Sequence, residues 1–184
     1  MLSIDSNTVF EHMVKRGEFR LEDEEVMAGR YQRVCERLKE LGFEHYEISN
    51  FAKAGDKSRH NLVYWHYNPY LAFGAGATRF DGRTRENNPA YLAAYERGEA
   101  PEIECLSPAV QREEMIFMNL RTVRGLSLLD YEARFGRSFA FDYGPQIENL
   151  IHKGWAKWED GHFCLTPLGM QYGNLAFEAF ITTD

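Results

Sequence analysis

The feature that most constrains the fold is an amphipathic helix pattern that lies between two strand patterns. Between Asp23 and Gly42, apolar residues recur at alternating spacings of four and three, which places them on one face of a helix. They are Met27, Tyr31, Val34, Leu38 and Leu41. Asp23 is a suitable N-cap residue, and Gly42 is a suitable residue just beyond the helix end. Residues 1–10 and 43–49 have strand patterns, so the three segments predict a βαβ unit, which implies a parallel sheet.

The next segment, residues 50–70, is predicted to be a long loop, and loops of this length are usually functional or disordered. Its high aromatic content argues against disorder. Four of its residues carry chemistry that suits a flat macrocycle: His60, Asn61, Tyr64 and Trp65. Imidazole is an axial ligand of haem iron, aromatic rings offer flat apolar faces, and an amide can bind a propionate. On spacing alone, however, a core histidine beside two core aromatic residues is the favoured interpretation.

A glycine-rich stretch follows at residues 71–80, which is predicted to be a strand. Gly74 and Gly76 would let another group approach its backbone closely. No helix opens directly behind them, so we do not interpret them as a dinucleotide-binding loop. Tight packing inside a barrel or against a neighbouring strand is the favoured explanation. The turn-rich residues that follow mark a linker, and the sequence predicts two domains, residues 1–82 and 83–184.

The second domain is predicted to be mainly helical. Helices are expected to begin at Ser107, at Ser127 and at residues 144–145, because each start carries a capping residue or a proline. Residues 160–161, Asp-Gly, signal a hairpin, and Thr166 caps a last helix. Helices followed by a two-stranded wing and a further helix are typical of a winged-helix domain.

A winged helix often binds DNA, so the charge of this domain matters. From Ser107 to the end of the chain, seven Lys or Arg residues stand against ten Asp or Glu residues. The helix that would read a groove carries a single lysine, where contacts to phosphates and bases need several cations. We therefore expect no nucleic-acid partner and favour a structural or docking role for this domain.

The composition of the whole chain also argues against a nucleic-acid partner. With 28 acidic residues against 21 basic ones, the formal net charge is −7, which argues against nucleic acid and an anionic membrane surface as partners. No apolar run approaches the roughly 20 residues that span a bilayer, so membrane association would be peripheral at most, and we expect a cytoplasmic protein. The cysteines, Cys35, Cys105 and Cys164, have neither disulfide nor iron–sulfur spacing.

Five segments of the chain resemble one known family. Y-E-I-S-N-F-A (Tyr46–Ala52), R-H-N-L-V-Y-W (Arg59–Trp65) and P-Y-L-A-F-G-A-G-A (Pro69–Ala77) are similar to the radical-SAM haem chaperones of HemW type, which are often described as oxygen-independent coproporphyrinogen III oxidase-like proteins. N-L-R-T-V-R-G-L (Asn119–Leu126) and L-T-P-L-G (Leu165–Gly169) are similar to the C-terminal domain of that family. The resemblance covers the whole chain, but only about the second half of a full-length member. The H-N-x-x-Y-W motif separates the chaperone branch from the true oxidases.

The resemblance implies an α/β fold: the C-terminal part of a partial (β/α) radical-SAM barrel in residues 1–82, followed by a mainly helical, winged-helix-like domain in residues 83–184. Full-length relatives carry a [4Fe–4S] cluster and S-adenosylmethionine, and H-N-x-x-Y-W is tied to haem binding there. His60 would then be the metal ligand. Carried over by position, the expected cofactor-binding residues are His60, Asn61, Tyr64, Trp65, Gly74 and Gly76.

One departure from the family decides what the chain can do alone. The cluster motif C-x-x-x-C-x-x-C is absent, and three thiolates are needed to hold the cluster and leave one iron open. We therefore expect no radical chemistry from this chain by itself, and we nominate no catalytic residue.

Three hypotheses remain, the first two from the resemblance and the third from the order of helices and hairpin in the second domain. The first is a truncated chaperone-like chain that binds haem or porphyrin through H-N-x-x-Y-W. The second is the oxidase of porphyrin biosynthesis, completed by a missing N-terminal half. The third is a non-catalytic winged-helix interaction module. A partial barrel leaves a sheet edge and apolar faces exposed, and these should pair with a second copy of the chain or with the helical wing-containing domain. We therefore predict either a homodimer through that edge or a rearranged, partly open sheet.

Overall fold

A computed structural model describes Ile4 and residues 6–181 of the chain. Within these ranges no helix is both long and apolar enough to cross a membrane. The elements before residue 106 are α1 (Val9–Lys15), α2 (Glu24–Glu40), β1 (Glu44–Glu47), β2 (Asn50–Ala52), α3 (Arg59–Trp65), β3 (Thr78–Phe80), β4 (Thr84–Asn87), α4 (Leu92–Glu96) and β5 (Glu102–Cys105). Those after it are α5 (Pro108–Leu120), β6 (Leu126–Ser127), α6 (Leu128–Phe135), α7 (Phe139–His152), β7 (Ala156–Glu159), β8 (His162–Leu165), α8 (Pro167–Gln171) and α9 (Gly173–Glu178).

The amphipathic helix and the strand after it are confirmed as α2 and β1. Gly42 adopts a left-handed φ of 75°, the conformation expected of a glycine just beyond a helix. Asp23 occupies the N-cap position with extended backbone, although its side chain makes no capping hydrogen bond. The predicted strand over residues 1–10 is wrong at its end, because Thr8 caps a helix there: its hydroxyl accepts a hydrogen bond from the Glu11 amide. Residues 1–3 and 5 lie outside the described residues.

The predicted parallel sheet is wrong for the described strands, because β1 pairs with β2 in an antiparallel hairpin. Glu44 pairs with Ala52, and His45 pairs with Phe51. The chain reverses directly after β1, where the Ser49 amide donates to the Glu47 carboxylate over 3.1 Å. A tight reversal brings the following residues alongside the strand in the antiparallel direction, before any crossover can form.

The other side of β1 contacts the connection between α5 and β6. The Ile48 amide donates to the Arg121 carbonyl over 2.9 Å, and the Val123 amide donates to the Tyr46 carbonyl over 3.1 Å. These bonds hold the first part of the chain against the C-terminal elements. They also occupy part of the sheet edge at which we predicted that a second copy of the chain could pair.

The predicted strand over residues 71–80 is largely wrong, since only Thr78–Phe80 is a strand. Gly74 and Gly76 have φ values of 103° and 70°, which lie outside the strand region, and they form a turn. β3 instead begins an antiparallel sheet of order β3-β4-β5 that the sequence did not predict. This sheet has one strand before the predicted boundary at residues 82–83 and two after it, and the division into domains stays a prediction.

The C-terminal elements include the predicted helices and the two-stranded hairpin in the predicted order, and the winged-helix interpretation stays a prediction. Helix α5, strand β6, helices α6 and α7 and the hairpin β7–β8 form a unit around a three-stranded antiparallel sheet of order β6-β8-β7. The predicted caps are confirmed, because the hydroxyls of Ser107, Ser127 and Thr166 each accept a backbone amide hydrogen bond. The third helix begins at Phe139 rather than at residue 144, and it is kinked at Tyr143. The last predicted helix is divided into α8 and α9.

The core lies between α5, α7 and the sheet that contains β8. Phe139, Phe163 and Phe180 are almost completely buried, and their rings contact one another. Gly125 allows the chain to pass close to β8, because a Cβ atom there would overlap the Phe163 carbonyl group. The glycine of N-L-R-T-V-R-G-L is thus required by packing.

Candidate functional site

The H-N-x-x-Y-W motif lies on helix α3, so the predicted loop over residues 50–70 is wrong over this motif. Ser58 caps the helix, with its hydroxyl accepting a hydrogen bond from the Asn61 amide over 3.3 Å. This capping signal was present in the sequence and was missed. Because α3 has only seven residues, tertiary contacts rather than intrinsic propensity hold it in place.

His60 is exposed on α3, and the interpretation as a core histidine is wrong. Its ring meets the Tyr64 ring edge-on, with 5.0 Å between the ring centroids. Tyr64 in turn meets Tyr70, with 4.6 Å between their centroids. The three rings form a continuous row, which we call the aromatic row, and its imidazole end faces solvent.

Trp65 packs against Arg121 at the end of α5 and anchors α3 there. The guanidinium carbon of Arg121 lies 4.5 Å from the centroid of the indole ring, a cation–π arrangement. Arg121 also lies over Phe117, at 5.8 Å. Trp65 Nε1 and Arg121 Nε are buried and have no hydrogen-bond partner among the described residues. The structure therefore separates Trp65 from the exposed members of the motif.

The end of α3 is fixed by buried Tyr67. Its hydroxyl donates to the Glu114 carboxylate over 2.9 Å, and Arg85 forms an ion pair with the same carboxylate at 2.6 Å. Arg134 lies over the Tyr67 ring at 4.8 Å. Burial and the neighbouring Glu114 carboxylate raise the pKa of Tyr67 well above its usual range. The phenol therefore stays protonated and keeps donating, so this end of α3 is rigidly placed.

Asn61 is half-buried, and its side chain makes no hydrogen bond within the described part of the chain. Gly74 and Gly76 lie in a turn held against α4. The Gly74 amide donates to the Tyr95 hydroxyl over 3.1 Å, and the Gly76 amide donates to the Pro89 carbonyl over 2.9 Å. The structure thus brings together His60, Asn61 and Tyr64, but it does not bring either glycine into a cavity with them.

An exposed apolar surface extends from the end of the aromatic row. Leu71 directly follows Tyr70, and the turn and α4 beyond it expose four large apolar side chains. These are Leu71 (70% exposed), Phe73 (83%), Tyr91 (82%) and Leu92 (62%), which we call the apolar surface. The two pairs belong to segments that the hydrogen bond between Gly74 and Tyr95 holds together, so they mark a candidate binding surface.

The cysteines do not fit an iron–sulfur cluster. Cys35 lies in α2, Cys105 is exposed on β5, and Cys164 is buried in β8, where its thiol donates to the Arg124 carbonyl over 3.0 Å. The described residues contain no group of three or more His, Cys, Asp or Glu side chains arranged to hold a metal ion.

Comparison with known proteins adds evidence on the family. The family model described as HemN C-terminal domain matches residues 106–172. The heme chaperone HemW of Lactococcus lactis subsp. lactis is 34% identical over 187 residues, covering 100% of this chain and 49% of the relative. HemW of Bacillus subtilis is 33% identical over 186 residues, covering 98% and 49%. The chain spans about half the length of these curated relatives.

A solved structure shares the fold. Coproporphyrinogen III oxidase (HemN) from Escherichia coli, described as a radical SAM enzyme, matches with a TM-score of 0.61 and 16% identity over 82% of this chain and 40% of that one. At this identity the match supports the fold alone. The matched C-terminal domain, the HemW relatives and the common fold together show that this chain belongs to the HemW/HemN family and corresponds to its C-terminal portion.

Proposed function

We propose that this chain supplies a haem- or porphyrin-binding surface, in which His60 ligates the iron of a bound tetrapyrrole. The observation that carries the proposal is the exposure of the His60 imidazole at the end of the aromatic row. An axial ligand must present a ring nitrogen to the iron, and the exposed imidazole of His60 is accessible to one. The HemW relatives, named as heme chaperones, make a tetrapyrrole the ligand to test first.

The surroundings of His60 suit a flat, apolar ligand with carboxylate side chains. Tyr64 and Tyr70 would contact the macrocycle through their rings, and the apolar surface would cover its far edge. Asn61 has an amide free to donate to a propionate or to water. Gly74 and Gly76 would act by shaping the turn that carries Phe73, and Trp65 by holding α3 on α5.

The proposed role is binding without radical chemistry. In full-length members of the family, a [4Fe–4S] cluster and S-adenosylmethionine would supply that chemistry, but the three cysteines here lie on different elements and do not fit a cluster. This chain's own residues would hold the tetrapyrrole and orient it. Porphyrin oxidation therefore remains a proposal only for an assembly in which another polypeptide segment provides the cluster. We place the binding role in the cytoplasm, with no nucleic-acid partner.

The test is a titration of ferric haem into the wild-type chain and into H60A, followed by absorption spectroscopy. We expect H60A to lose the spectrum of imidazole-ligated haem and to bind about tenfold or more weakly, because the loss of even an outer-shell partner of a metal ligand costs roughly 10–100-fold in affinity. The matched control is H152A, since His152 is also exposed and ends helix α7. An identical response in wild type and H60A would remove His60 as the ligand.

A further inference from the structure

Strand β5 (Glu102–Cys105) has an open hydrogen-bonding edge. It is the last strand of the sheet of order β3-β4-β5, and within the described part of the chain only β4 pairs with it. Its four residues are all exposed, and Ile103 is 63% exposed. The opposite edge of the same sheet is partly covered, because Phe80 and Tyr70 exchange two backbone hydrogen bonds there. An edge strand with free backbone groups is a template for pairing with another strand.

The pairing with β4 fixes which backbone groups of β5 point outward. The Leu106 amide donates to the Arg83 carbonyl over 3.0 Å, so these two residues form a hydrogen-bonded pair. Such pairs alternate with non-hydrogen-bonded pairs along an antiparallel ladder. Counted back from Leu106 along the register, Ile103 and Cys105 occupy the non-hydrogen-bonded positions. Their N–H and C=O groups therefore point away from β4, where these four groups are open to another strand.

The charged side chains of β5 have one sign. Glu102 and Glu104 lie on one face of the strand, because alternate residues of a strand share a face. Arg85 of β4 pairs with Glu104 at 3.4 Å, and no other described residue forms an ion pair with either glutamate. Arg85 lies closer to Glu114, at 2.6 Å, so it neutralises Glu104 only in part. Ile103 lies on the other face, so the edge alternates acidic and apolar side chains.

A second copy of the chain does not fit this edge. An antiparallel twofold pair of β5 strands would join the outward groups of Ile103 and Cys105 in both copies. In that register Glu102 and Glu104 would lie opposite glutamates of the other copy. Like charges directly opposite each other destabilise a pair of strands, and charged side chains on an edge strand prevent such self-pairing. The edge therefore suits a strand of opposite charge.

We propose that β5 pairs with an extended basic segment of a partner protein, in which Lys or Arg alternates with apolar residues. Backbone groups of the segment would bond to those of Ile103 and Cys105, and its cations would lie opposite Glu102 and Glu104. Strand β4 provides a precedent within the chain, since its Arg85 already lies opposite Glu104. The net charge of −7 would favour the approach of such a segment. The interaction requires no bound tetrapyrrole.

The experiment compares peptides of equal charge by calorimetry and by amide hydrogen exchange measured with NMR. The alternating peptide is Lys-Val-Lys-Val-Lys-Val-Lys, and the block peptide of the same composition is Lys-Lys-Lys-Lys-Val-Val-Val. We expect the full chain to bind the alternating peptide about fivefold or more tightly, with exchange slowed at the Ile103 and Cys105 amides. The alternating peptide with N-methylated valines keeps its charge but loses the N–H groups that would meet the outward carbonyls. It should bind no better than the block peptide.

Two variants of the chain test the charges and the backbone separately. E102K/E104K should lose the preference for the alternating lysine peptide and prefer its glutamate counterpart. The matched control is E132K/E148K, which changes the net charge equally at exposed positions on α6 and α7 and should keep the wild-type preference. I103P removes one outward N–H at an edge position that tolerates proline, and it should weaken binding about threefold or more. Circular dichroism verifies that each variant is folded.

Several results would overturn the proposal. Equal binding of the alternating and block peptides would show charge attraction without strand pairing. Equal peptide preferences in E102K/E104K and E132K/E148K would place the contact away from β5, as would binding without slower exchange at the Ile103 and Cys105 amides. Slow exchange of these amides in the chain alone, together with the mass of a dimer in light scattering, would show that a second copy occupies the edge.

Discussion

His45 and His60 both lie beside aromatic rings, but their surroundings differ in what they leave free. His45 is half-buried in β1, stacked on Phe51 and held near the Tyr31 hydroxyl. His60 is exposed on α3, and its ring meets the Tyr64 ring edge-on. The first histidine therefore contributes to folding, and the second is free to bind a ligand. Residue type and aromatic neighbours alone do not distinguish these roles; the tertiary contacts of each imidazole do.

The sharpest test of this contrast is to remove each imidazole and measure stability. H45A should lower the free energy of unfolding by about 2 kcal/mol, because it removes ring packing and leaves the Tyr31 hydroxyl with one partner fewer. H60A should change it by less than about 0.5 kcal/mol, since an exposed side chain is removed. Urea unfolding followed by circular dichroism measures both values. Equal losses in the two variants would contradict the contrast.

The contact between Arg121 and Trp65, which anchors α3, should give the next largest effect on stability. R121A should lower the free energy of unfolding by about 1–2 kcal/mol, because it removes a half-buried cation stacked on Trp65 and Phe117. It should also weaken the proposed haem binding at His60 by displacing α3. The matched control is R124A, whose exposed side chain makes no ring contact within the described residues. A stability of R121A equal to that of R124A would show that α3 is held by other contacts.

The hydrogen bonds around His45 can be tested one at a time. Y31F should cost about 1 kcal/mol, because the Ile48 carbonyl loses its donor and His45 Nε2 loses a neighbour, while the ring packing is kept. Thermal unfolding by calorimetry measures the change. Y64F, which removes a hydroxyl beside the exposed His60 and makes no comparable network, should have almost no effect. If Y31F is as stable as wild type, the network does not hold His45.

The smallest effect is on the pH dependence of stability. Burial lowers the pKa of His45 below its ordinary value of 6.5. Between the ordinary pKa and the lowered pKa, the unfolded chain binds a proton at His45 that the folded chain does not bind. The stability that the neutral imidazole provides is therefore lost as the pH falls over this interval. We expect the free energy of unfolding to decrease as the pH falls below about 6.5. The decrease should be shallower in H45Q and unchanged in H60Q.

Much of the local structure was predictable from short-range signals. The period of α2, the capping hydroxyls of Ser107, Ser127 and Thr166, and the hairpin turn at residues 160–161 each act within a few residues, and the structure contains all of them. The helix α3 could have been predicted in the same way from Ser58. The resemblance of the motifs to the HemW/HemN family was likewise carried by contiguous residues.

The sequence by itself therefore determined the helices with caps, the wing-like hairpin, the acidic charge and the family. Only the tertiary structure decided that β1 pairs with β2 in the antiparallel direction and that the turn containing Gly74 contacts α4. It also decided that Trp65 packs at the end of α5 while His60 is exposed to solvent. It likewise decided that β5 ends its sheet with an open edge. The physical reason is the distance along the chain over which each interaction acts. Caps and helical periods are set by neighbouring residues, whereas burial and exposure are set by packing between segments that are far apart in the sequence.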